Sequence, residues 1–216
     1  MSAEAGAKRR GPVAGILLAA GTASRMGSNK LLLALDGETL LRRAARQALE
    51  GGLAPLVVVL GHQAERAAAA LAGLDCQPVV NPDYEQGIVT SLRRGLDALP
   101  ASAPAAVVML ADMPFVTAPM IAALVARYLA GSAPLVISDY EGVNAPPMLY
   151  DRALFGELAA MDDGRCGKQV IKRHRHEAEA LAWPTAALAD VDEPADWTRL
   201  QDLAPRQGPA RPQGPT

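Results

Sequence analysis

Aromatic residues and cysteines are scarce in this sequence. Only 4% of the 216 residues are aromatic although 50% are hydrophobic, and Ala, Leu and Val dominate the apolar set. This composition favours a parallel sheet covered by helices over an aromatic-rich sandwich or barrel. The two cysteines, Cys76 and Cys166, are too few for a disulfide framework or a four-thiolate metal site. We therefore expect one α/β core, plain thiols and a reducing compartment.

The sequence also lacks a strong net charge and a long apolar run. A formal charge of -2 gives no overall field for nucleic acid or an anionic membrane, so any phosphate site must be a local cluster of cations and backbone N–H groups. No apolar run reaches the ~18 to 20 residues that span a bilayer. Basic residues 8–10 and apolar residues 12–20 imitate a signal peptide, but a folded pattern continues beyond Gly21. We expect a cytoplasmic protein that binds neither nucleic acid nor membranes.

Short apolar runs alternate with amphipathic segments along most of the chain. The apolar runs predict strands at residues 13–19, 56–60, 77–80, 105–110 and 135–138. Helical spacing predicts helices at residues 38–49, 62–71, 90–99 and 119–129. Alternation of this kind is typical of an α/β fold with a doubly wound, mostly parallel sheet, whose ligands bind at the carboxyl ends of the strands.

The pattern changes after Tyr140 and at both ends of the chain. Gly142, Pro146 and Pro147 interrupt it and predict a strand or hairpin excursion, which we interpret as a small inserted lobe before a helix at residues 152–160. Residues 1–11 and 204–216 have too little apolar surface to become ordered, so we expect flexible tails there. A single domain is expected over residues 12–203.

A glycine-bearing loop follows the first predicted strand. Gly21 and Gly27 allow close backbone approach and positive φ, so successive N–H groups can point at phosphate oxygens, and Arg25 and Lys30 add positive charge. The spacing differs from the Walker A loop and from the dinucleotide Gly-x-Gly-x-x-Gly fingerprint. This loop is therefore a candidate triphosphate site, and the alternative is an ordinary surface loop with two solvated cations.

Acidic residues follow two further segments. Asp112 comes directly after an apolar strand, where a carboxylate can coordinate a hard cation, although an aspartate before Pro114 can also cap a turn or helix. Asp190 and Asp192 alternate on an extended stretch and can share one face. Thr90 and Ser91 open a predicted helix, where they can bind an anion or serve only as an N-cap.

Four blocks of the sequence, taken in order, resemble the molybdopterin nucleotidyltransferase-like family. The first is the loop at residues 18–33, with its LAAG, SRMG and KLLL elements. The second joins NPD at residues 81–83 to QGIVTSL at residues 86–92. The third is LADMP at residues 110–114, and the last is DVDEP at residues 190–194. Their order and spacing agree with the family over roughly residues 13 to 200.

The resemblance implies a Rossmann-like nucleotidyltransferase fold and an enzyme that transfers a nucleoside monophosphate from an NTP to a phosphorylated acceptor. The residues that inherit nucleotide-binding roles are Leu18, Ala19, Ala20, Gly21, Thr22, Arg25, Lys30, Asn81, Gly87 and Ser91. Catalytic roles fall on Lys30, Arg25 and Asp112. The implied cofactor is Mg²⁺, or alternatively Mn²⁺, on Asp112. Asp192 is favoured as the second direct ligand, with Asp190 as the alternative or as a supporting carboxylate.

The same resemblance indicates the two substrates. Ala20 in LAAG matches the cytidylyl branch, whereas the guanylyl branch usually has glycine there, so we expect CTP and a molybdopterin-type acceptor, with a molybdoenzyme or its chaperone as a candidate partner. Val89 replaces a more usual serine. The resemblance also makes the inserted lobe and residues 164–168 the acceptor side, where Asn144-Ala145-Pro146-Pro147 replaces a common Gly-His-Pro element. The open alternatives are a sugar 1-phosphate or other small phosphorylated acceptor, and a non-catalytic cofactor-binding protein.

Overall fold

The computed structural model describes residues 11–21, 29–161 and 167–188. The strands in these ranges are β1 Ala14–Ala19, β2 Ala34–Leu35, β3 Glu38–Thr39, β4 Leu56–Leu60, β5 Gln77–Val80, β6 Ala105–Leu110, β7 Leu135–Tyr140, β8 Val143–Asn144, β9 Met148–Asp151 and β10 Glu179–Ala182. The helices are α1 Leu40–Glu50, α2 Ala64–Ala70, α3 Ile88–Asp97, α4 Ala118–Ala130, α5 Phe155–Ala159 and α6 Lys168–His174.

The central sheet has the strand order β10-β7-β9-β6-β1-β4-β5, and β8 pairs with β7 at its side. Neighbouring strands are parallel except that β9 runs antiparallel to both β6 and β7, and β8 runs antiparallel to β7. Strands β2 and β3 form a separate small hairpin. The predicted doubly wound, mostly parallel sheet is therefore confirmed.

Helices cover both faces of this sheet because alternate strand residues point in opposite directions. In β1, Leu17 and Ala19 pack in the core layer that contains α1, α2 and α4. Ile16 and Leu18 pack in the opposite layer, with α3, α5 and α6. The low aromatic content is thus compatible with a full core, which is built from aliphatic side chains in two layers.

The chain passes from β1 to β4 and β5 on one side, and then returns to β6 on the other side of β1. The carboxyl ends of β1 and β6 therefore flank the point where the strand order reverses, which is where open α/β sheets bind ligands. Helix α3 lies close to this point, because a Cβ at Gly95 would come within 2.5 Å of Ile16 Cγ2. A glycine at position 95 allows α3 to pack directly on β1.

Several element boundaries differ from the predicted ones by one to three residues, and the starts of α1 and α3 have clear physical reasons. Residues 38 and 39 form β3, and Thr39 then caps α1 by accepting a hydrogen bond from the Arg42 backbone N–H at 3.2 Å. Helix α3 begins at Ile88, two residues earlier than predicted, because Gly87 is its N-cap residue with φ of 114°. The N-cap interpretation of Thr90 and Ser91 is therefore wrong, since both residues lie inside the first turns of the helix.

The excursion predicted after Tyr140 is a hairpin of β7 and β8, followed by β9. Strand β9 then enters the central sheet between β6 and β7, because its residues Met148, Leu149 and Tyr150 are all buried and need partners on both sides. The excursion is thus built into the main sheet.

Several sequence-based predictions fall outside the described residues. They concern the tails at residues 1–10 and 204–216, together with Thr22, Arg25, Cys166, Asp190 and Asp192. Cys76 has a free thiol, as predicted. No helix in the described ranges is both long enough and apolar enough to cross a bilayer.

Candidate active site

A cavity of about 330 Å³ lies at the carboxyl ends of β1 and β6. It is lined by these strand ends, by residues 29–31 and by the segment that leads into α3. The predicted site residues that line it are Leu18, Ala19, Ala20, Gly21, Lys30, Gly87, Ser91 and Asp112. Four separate segments of the sequence therefore meet in one cavity, which we call the first cavity.

Lys30 and Asp112 form an ion pair at this cavity. The Lys30 Nζ donates to Asp112 Oδ2 at 2.9 Å, and the side chains are 18% and 24% exposed. Lys30 begins a 3-10 turn, and Asp112 lies two residues beyond the end of β6. The pair brings together a cation suited to phosphate and a carboxylate suited to a metal ion, and both remain accessible to a ligand.

Asn29 holds the Lys30 turn in place. Its side chain is buried, and the Nδ2 amide donates to the His62 carbonyl oxygen at 3.1 Å, while Oδ1 accepts from the Leu31 N–H at 3.1 Å. The turn is thereby attached to the loop that follows β4. Sequence reasoning assigned no role to Asn29, although an asparagine directly before a turn is a known capping signal.

Tyr84 and Glu85 also line the first cavity, and sequence reasoning missed both. The Tyr84 ring packs against Gly61, where a Cβ would come within 2.7 Å of Tyr84 Cγ and 2.6 Å of the Ala20 carbonyl oxygen. The glycine at the end of β4 therefore lets this ring approach the first loop. The available signal was the position of Gly61, directly after a predicted strand at the ligand-binding edge.

Asn81 supports the site from behind and is not among the residues that line the first cavity. It is 3% exposed, and its Nδ2 donates to Thr90 Oγ1 at 2.9 Å and to Ser91 Oγ at 3.0 Å. Its Oδ1 accepts from the Asp83 N–H at 3.0 Å. Both amide N–H groups are thus used inside the protein, which indicates that Asn81 acts by positioning the first turns of α3. Its direct contact with the nucleotide stays a prediction.

The contact with Asn81 also determines whether the Ser91 hydroxyl can donate or accept a further hydrogen bond. Ser91 Oγ accepts from Asn81, so its own proton is free to be donated in another direction. Ser91 lines the first cavity, where oxygen atoms of a nucleotide would accept that proton. Val89 is only 6% exposed and packs in the α3 core layer, which explains an apolar residue where the resembled family more often has serine.

The described residues fit a divalent cation in part. Mg²⁺ is usually held by one or two carboxylates together with substrate phosphates and water. Asp112 provides one such carboxylate in the same cavity as the first loop. Among the residues that the structure describes, no group of three or more His, Cys, Asp or Glu side chains could hold a metal by itself. The predicted roles of Asp190 and Asp192 stay predictions.

A second cavity of about 370 Å³ adjoins the first, and Leu18, Ile88 and Leu110 line both. Its other lining residues are Leu92, Val108, Val143, Asn144, Ala145, Pro146, Met148, Tyr150, Leu158, Gly167, Lys168 and Ile171. Most of these come from the region after Tyr140, where the sequence predicted the acceptor side. The second cavity is thus mainly apolar, with a few polar groups.

Helix α6, which forms one wall of the second cavity, is attached to α5 by ionic contacts. His174 Nε2 lies 2.7 Å from Glu157 Oε2, and Arg173 forms an ion pair with the same carboxylate. The hydrogen bond with His174, followed by the contact with Arg173, holds the pKa of Glu157 below its usual range. These contacts keep Lys168 and Ile171 at the second cavity.

A doubly wound sheet with a glycine-bearing loop, a lysine and a carboxylate at its switch point is typical of proteins that bind nucleoside triphosphates. The chain matches the MobA-like NTP transferase domain family over residues 15–178, and it belongs to that family. It is therefore a nucleotidyltransferase by family, as the sequence predicted.

Two relatives illustrate the range of this similarity. Nicotine blue oxidoreductase of Paenarthrobacter nicotinovorans is 32% identical over 172 residues, which cover 76% of this chain and 82% of the relative. Bifunctional protein GlmU of Anaeromyxobacter sp. (strain K) is 31% identical over 199 residues, covering 89% of this chain but 39% of the relative. The chain thus spans less than half the length of this second relative.

Solved structures agree with the fold. Rv0371c from Mycobacterium tuberculosis H37Rv has a TM-score of 0.79 and 28% identity, covering 88% of this chain and 98% of that protein. A complex of Rv0371c with manganese has a TM-score of 0.73 and 27% identity, covering 89% of this chain and 100% of that protein. A protein with this fold and 27% identity to the chain has therefore been solved in complex with manganese.

Proposed function

We propose that this chain transfers CMP from CTP to the phosphate of molybdopterin and releases pyrophosphate, with Mg²⁺ as the metal ion. The observation that carries this proposal is the meeting of residues 18–21, Lys30 and Asp112 in one cavity that adjoins a second, mainly apolar cavity. In this arrangement the first cavity holds the nucleotide and the second holds the acceptor. A cytoplasmic molybdoenzyme or its chaperone would then receive the product.

The chemistry is an in-line displacement at the α-phosphorus. An acceptor phosphate oxygen forms a bond to this phosphorus while the bond to the β-phosphate oxygen breaks, and pyrophosphate leaves. A phosphate monoester has its second pKa near ~6, so at neutral pH it attacks without a general base. A protein nucleophile is not required either. What the protein must supply is alignment and neutralisation of charge, since both reacting groups are anionic.

The Lys30–Asp112 ion pair can supply both alignment and charge neutralisation, because each side chain can replace its partner by a charged ligand. When the triphosphate enters, Lys30 can turn from the carboxylate to the α-phosphate, where negative charge is redistributed during attack. Asp112 is then available to hold Mg²⁺, which when bound would neutralise charge on the triphosphate. Each charged side chain keeps an opposite charge beside it, so neither is left unpaired at any stage.

The composition of the second cavity supports a heterocyclic acceptor over a sugar phosphate. Its polar side chains are Asn144, Tyr150 and Lys168, and the other lining residues are apolar or glycine. A sugar would leave many hydroxyl groups without partners in such a cavity, whereas the faces of a flat heterocycle can pack on apolar side chains. Lys168 is exposed and can provide the positive charge for the acceptor's phosphate.

The direct test is pyrophosphate release with each of the four NTPs, in the presence and absence of molybdopterin. We expect rapid release only with CTP and molybdopterin together. Pyrophosphate release with a sugar 1-phosphate but not with molybdopterin would show that the acceptor is a sugar phosphate. Tight binding of the acceptor without pyrophosphate release would instead indicate a non-catalytic binding protein.

A second candidate, an oxidation–reduction activity, is favoured by the similarity to nicotine blue oxidoreductase. In that case the first cavity would hold the phosphates of a nucleotide-type redox cofactor. The discriminating measurement is oxidation of a reduced nicotinamide dinucleotide with an electron-accepting dye, in parallel with pyrophosphate release. Dye reduction without pyrophosphate release would favour this second candidate.

The choice of CTP over GTP is expected to depend on Ala20. Ala20 lines the first cavity and is 5% exposed, and we expect its methyl group to narrow the space for a purine. Because contact changes of this size are worth ~1 to 3 kcal/mol, Ala20→Gly should lower the CTP-to-GTP ratio of kcat/KM by about tenfold. A wild-type protein that prefers GTP, or a variant with an unchanged ratio, would contradict this assignment.

Nucleotide affinity is expected to depend on Asn81 through Ser91. In Asn81→Asp the new carboxylate can only accept hydrogen bonds. The Ser91 hydroxyl would then donate to that carboxylate and no longer to the nucleotide. Loss of one hydrogen bond to a charged ligand should weaken CTP binding roughly tenfold, as measured by calorimetry. Ser91→Ala should give the same loss, and the double variant should lose nothing further. Additive losses in the double variant would show that Asn81 acts independently of Ser91.

A further inference from the structure

Three side chains form the boundary between the two cavities. Leu18 is near the end of β1, Leu110 is the last residue of β6, and Ile88 is the first residue of α3. All three line both cavities, and we call them the junction residues. Asp112 follows Leu110 by two residues and lines the first cavity, so the junction lies beside the Lys30–Asp112 pair.

The junction residues are all apolar, although the ligands that meet there are anions. In the proposed reaction the acceptor phosphate must reach the α-phosphorus across this boundary. Water is the competing nucleophile at the same place. A water molecule remains at a protein surface when two to four polar groups bind it, and aliphatic side chains offer none. The side chains at the junction therefore leave few positions for a water molecule next to the α-phosphorus.

We propose that Leu18, Ile88 and Leu110 determine the specificity for the acceptor phosphate over water, so that the site transfers the nucleotide and does not hydrolyse CTP. This inference rests on the proposed function. In transfer, the new bond joins the α-phosphorus to an acceptor oxygen. In hydrolysis, the water oxygen bonds to the α-phosphorus, the bond to the β-phosphate breaks, a proton passes to solvent, and CMP and pyrophosphate are released. Exclusion of water from reactive phosphates is the general means by which closed active sites suppress this side reaction.

Ile88 is the junction residue best suited to substitution. It is half-buried, whereas Leu18 is 6% exposed and part of the core. Threonine keeps the β-branched shape of isoleucine and is well tolerated at the start of a helix, but it adds a hydroxyl that can hold water. Ile88→Val shortens the same side chain without adding a polar group, and so separates loss of volume from gain of polarity.

Val80 offers a matched control outside both cavities. It is the last residue of β5, is 51% exposed and lines neither cavity, so Val80→Thr also replaces an apolar β-branched side chain by threonine, with little effect on folding. If an added hydroxyl raised CMP formation through a general effect on the protein, this variant would behave like Ile88→Thr. If the effect belongs to the junction, it would not.

The experiment measures CMP and the transfer product separately, with full-length protein, CTP and Mg²⁺, with and without molybdopterin. Without acceptor, Ile88→Thr is expected to form CMP about tenfold faster than the wild type, since removal of water exclusion exposes the α-phosphate. Val80→Thr is expected to form CMP at the wild-type rate, and Ile88→Val is expected to form less CMP than Ile88→Thr because it adds no hydroxyl. Leu110→Thr, in a strand where β-branched residues are favoured, serves as the second junction variant if Ile88→Thr does not fold.

The outcomes separate this inference from the proposed function. If the wild type transfers CMP to molybdopterin but neither junction variant forms more free CMP, the junction inference is overturned and the proposed function stands. The junction inference is likewise overturned if Val80→Thr or Ile88→Val raises CMP formation as much as Ile88→Thr does. If the wild type yields no transfer product with any NTP, the proposed function fails and the inference fails with it.

Discussion

Asp112→Asn is expected to lower kcat for CMP transfer by roughly 10²- to 10³-fold, the loss typical for removal of one group that stabilises transition-state charge. Asparagine has nearly the shape of aspartate but lacks its charge, so the metal loses a carboxylate ligand and Lys30 loses its partner. Since the Asp112 side chain is 24% exposed, the fold should be kept. The measurement is kcat at saturating substrates, together with the thermal midpoint of unfolding.

Asp75→Asn is a suitable control for this variant. Asp75 is exposed in the loop before β5 and does not line either cavity, so kcat should stay at the wild-type value. Raising the Mg²⁺ concentration should restore part of the activity of Asp112→Asn, because weakened metal binding is compensated by mass action. Near-normal turnover of Asp112→Asn at ordinary Mg²⁺ would remove Asp112 from the metal site.

Lys30→Ala should reduce kcat by a similar roughly 10²- to 10³-fold, with a much smaller change in KM for CTP. The reason is that Lys30 can leave Asp112 and follow the charge that develops around the α-phosphorus. An interaction that is stronger in the transition state than in the ground state appears in kcat. Steady-state kinetics over a range of CTP concentrations separate the two parameters.

Two further variants define the role of Lys30. Lys172→Ala removes an exposed lysine of α6 that lines neither cavity, and it should leave kcat unchanged. Lys30→Arg keeps the charge but changes its shape, so it should recover only part of the lost rate. If Lys30→Ala raised KM and left kcat unchanged, Lys30 would serve in ground-state binding of the nucleotide and not in the chemical step.

The sequence was sufficient to predict which segments meet at the first cavity. Residues 18–21 and Asp112 each follow an apolar run that predicts a buried strand. Because the carboxyl ends of parallel strands share one edge of a sheet, the proximity of these segments could be inferred without coordinates. Lys30 and Asp112 are 82 positions apart, and only the catalytic roles that the family resemblance implies for both of them connected the two in the sequence.

The sequence was not sufficient where a contact depends on the direction of one side chain or on a distant partner. The NPD block identified Asn81 as a site residue, but only the contacts with Thr90 and Ser91 reveal that both of its amide N–H groups are used inside the protein. The attachment of Asn29 to His62 joins residues 33 positions apart, and no local pattern indicates it. The early start of α3 was hidden because Ile88 is β-branched, which weakens the helical signal.

The position of β9 was the largest feature that the pattern did not reveal. A short apolar run at residues 148–151 is compatible with an edge strand, a lobe or a central strand. Strand β9 lies between β6 and β7 because it pairs with both, and β6 is much farther from it along the chain than β7 is. The periodicity of a sequence carries no information about such pairing. This pairing also brings Met148 and Tyr150 to the second cavity.

The insertion of β9 has a consequence for how the chain folds as the ribosome releases it. Strand β7 is made before β9 but cannot pair directly with β6, because β9 must lie between them. Only a short connection separates β7 from β9, so these two strands can close as a local hairpin before they join the rest. The hairpin then adds as one unit to the open edge of β6. Until that moment the growing chain has only the strands β1, β4, β5 and β6 of the central sheet in place. The edge of β6 where β9 will pair is still open.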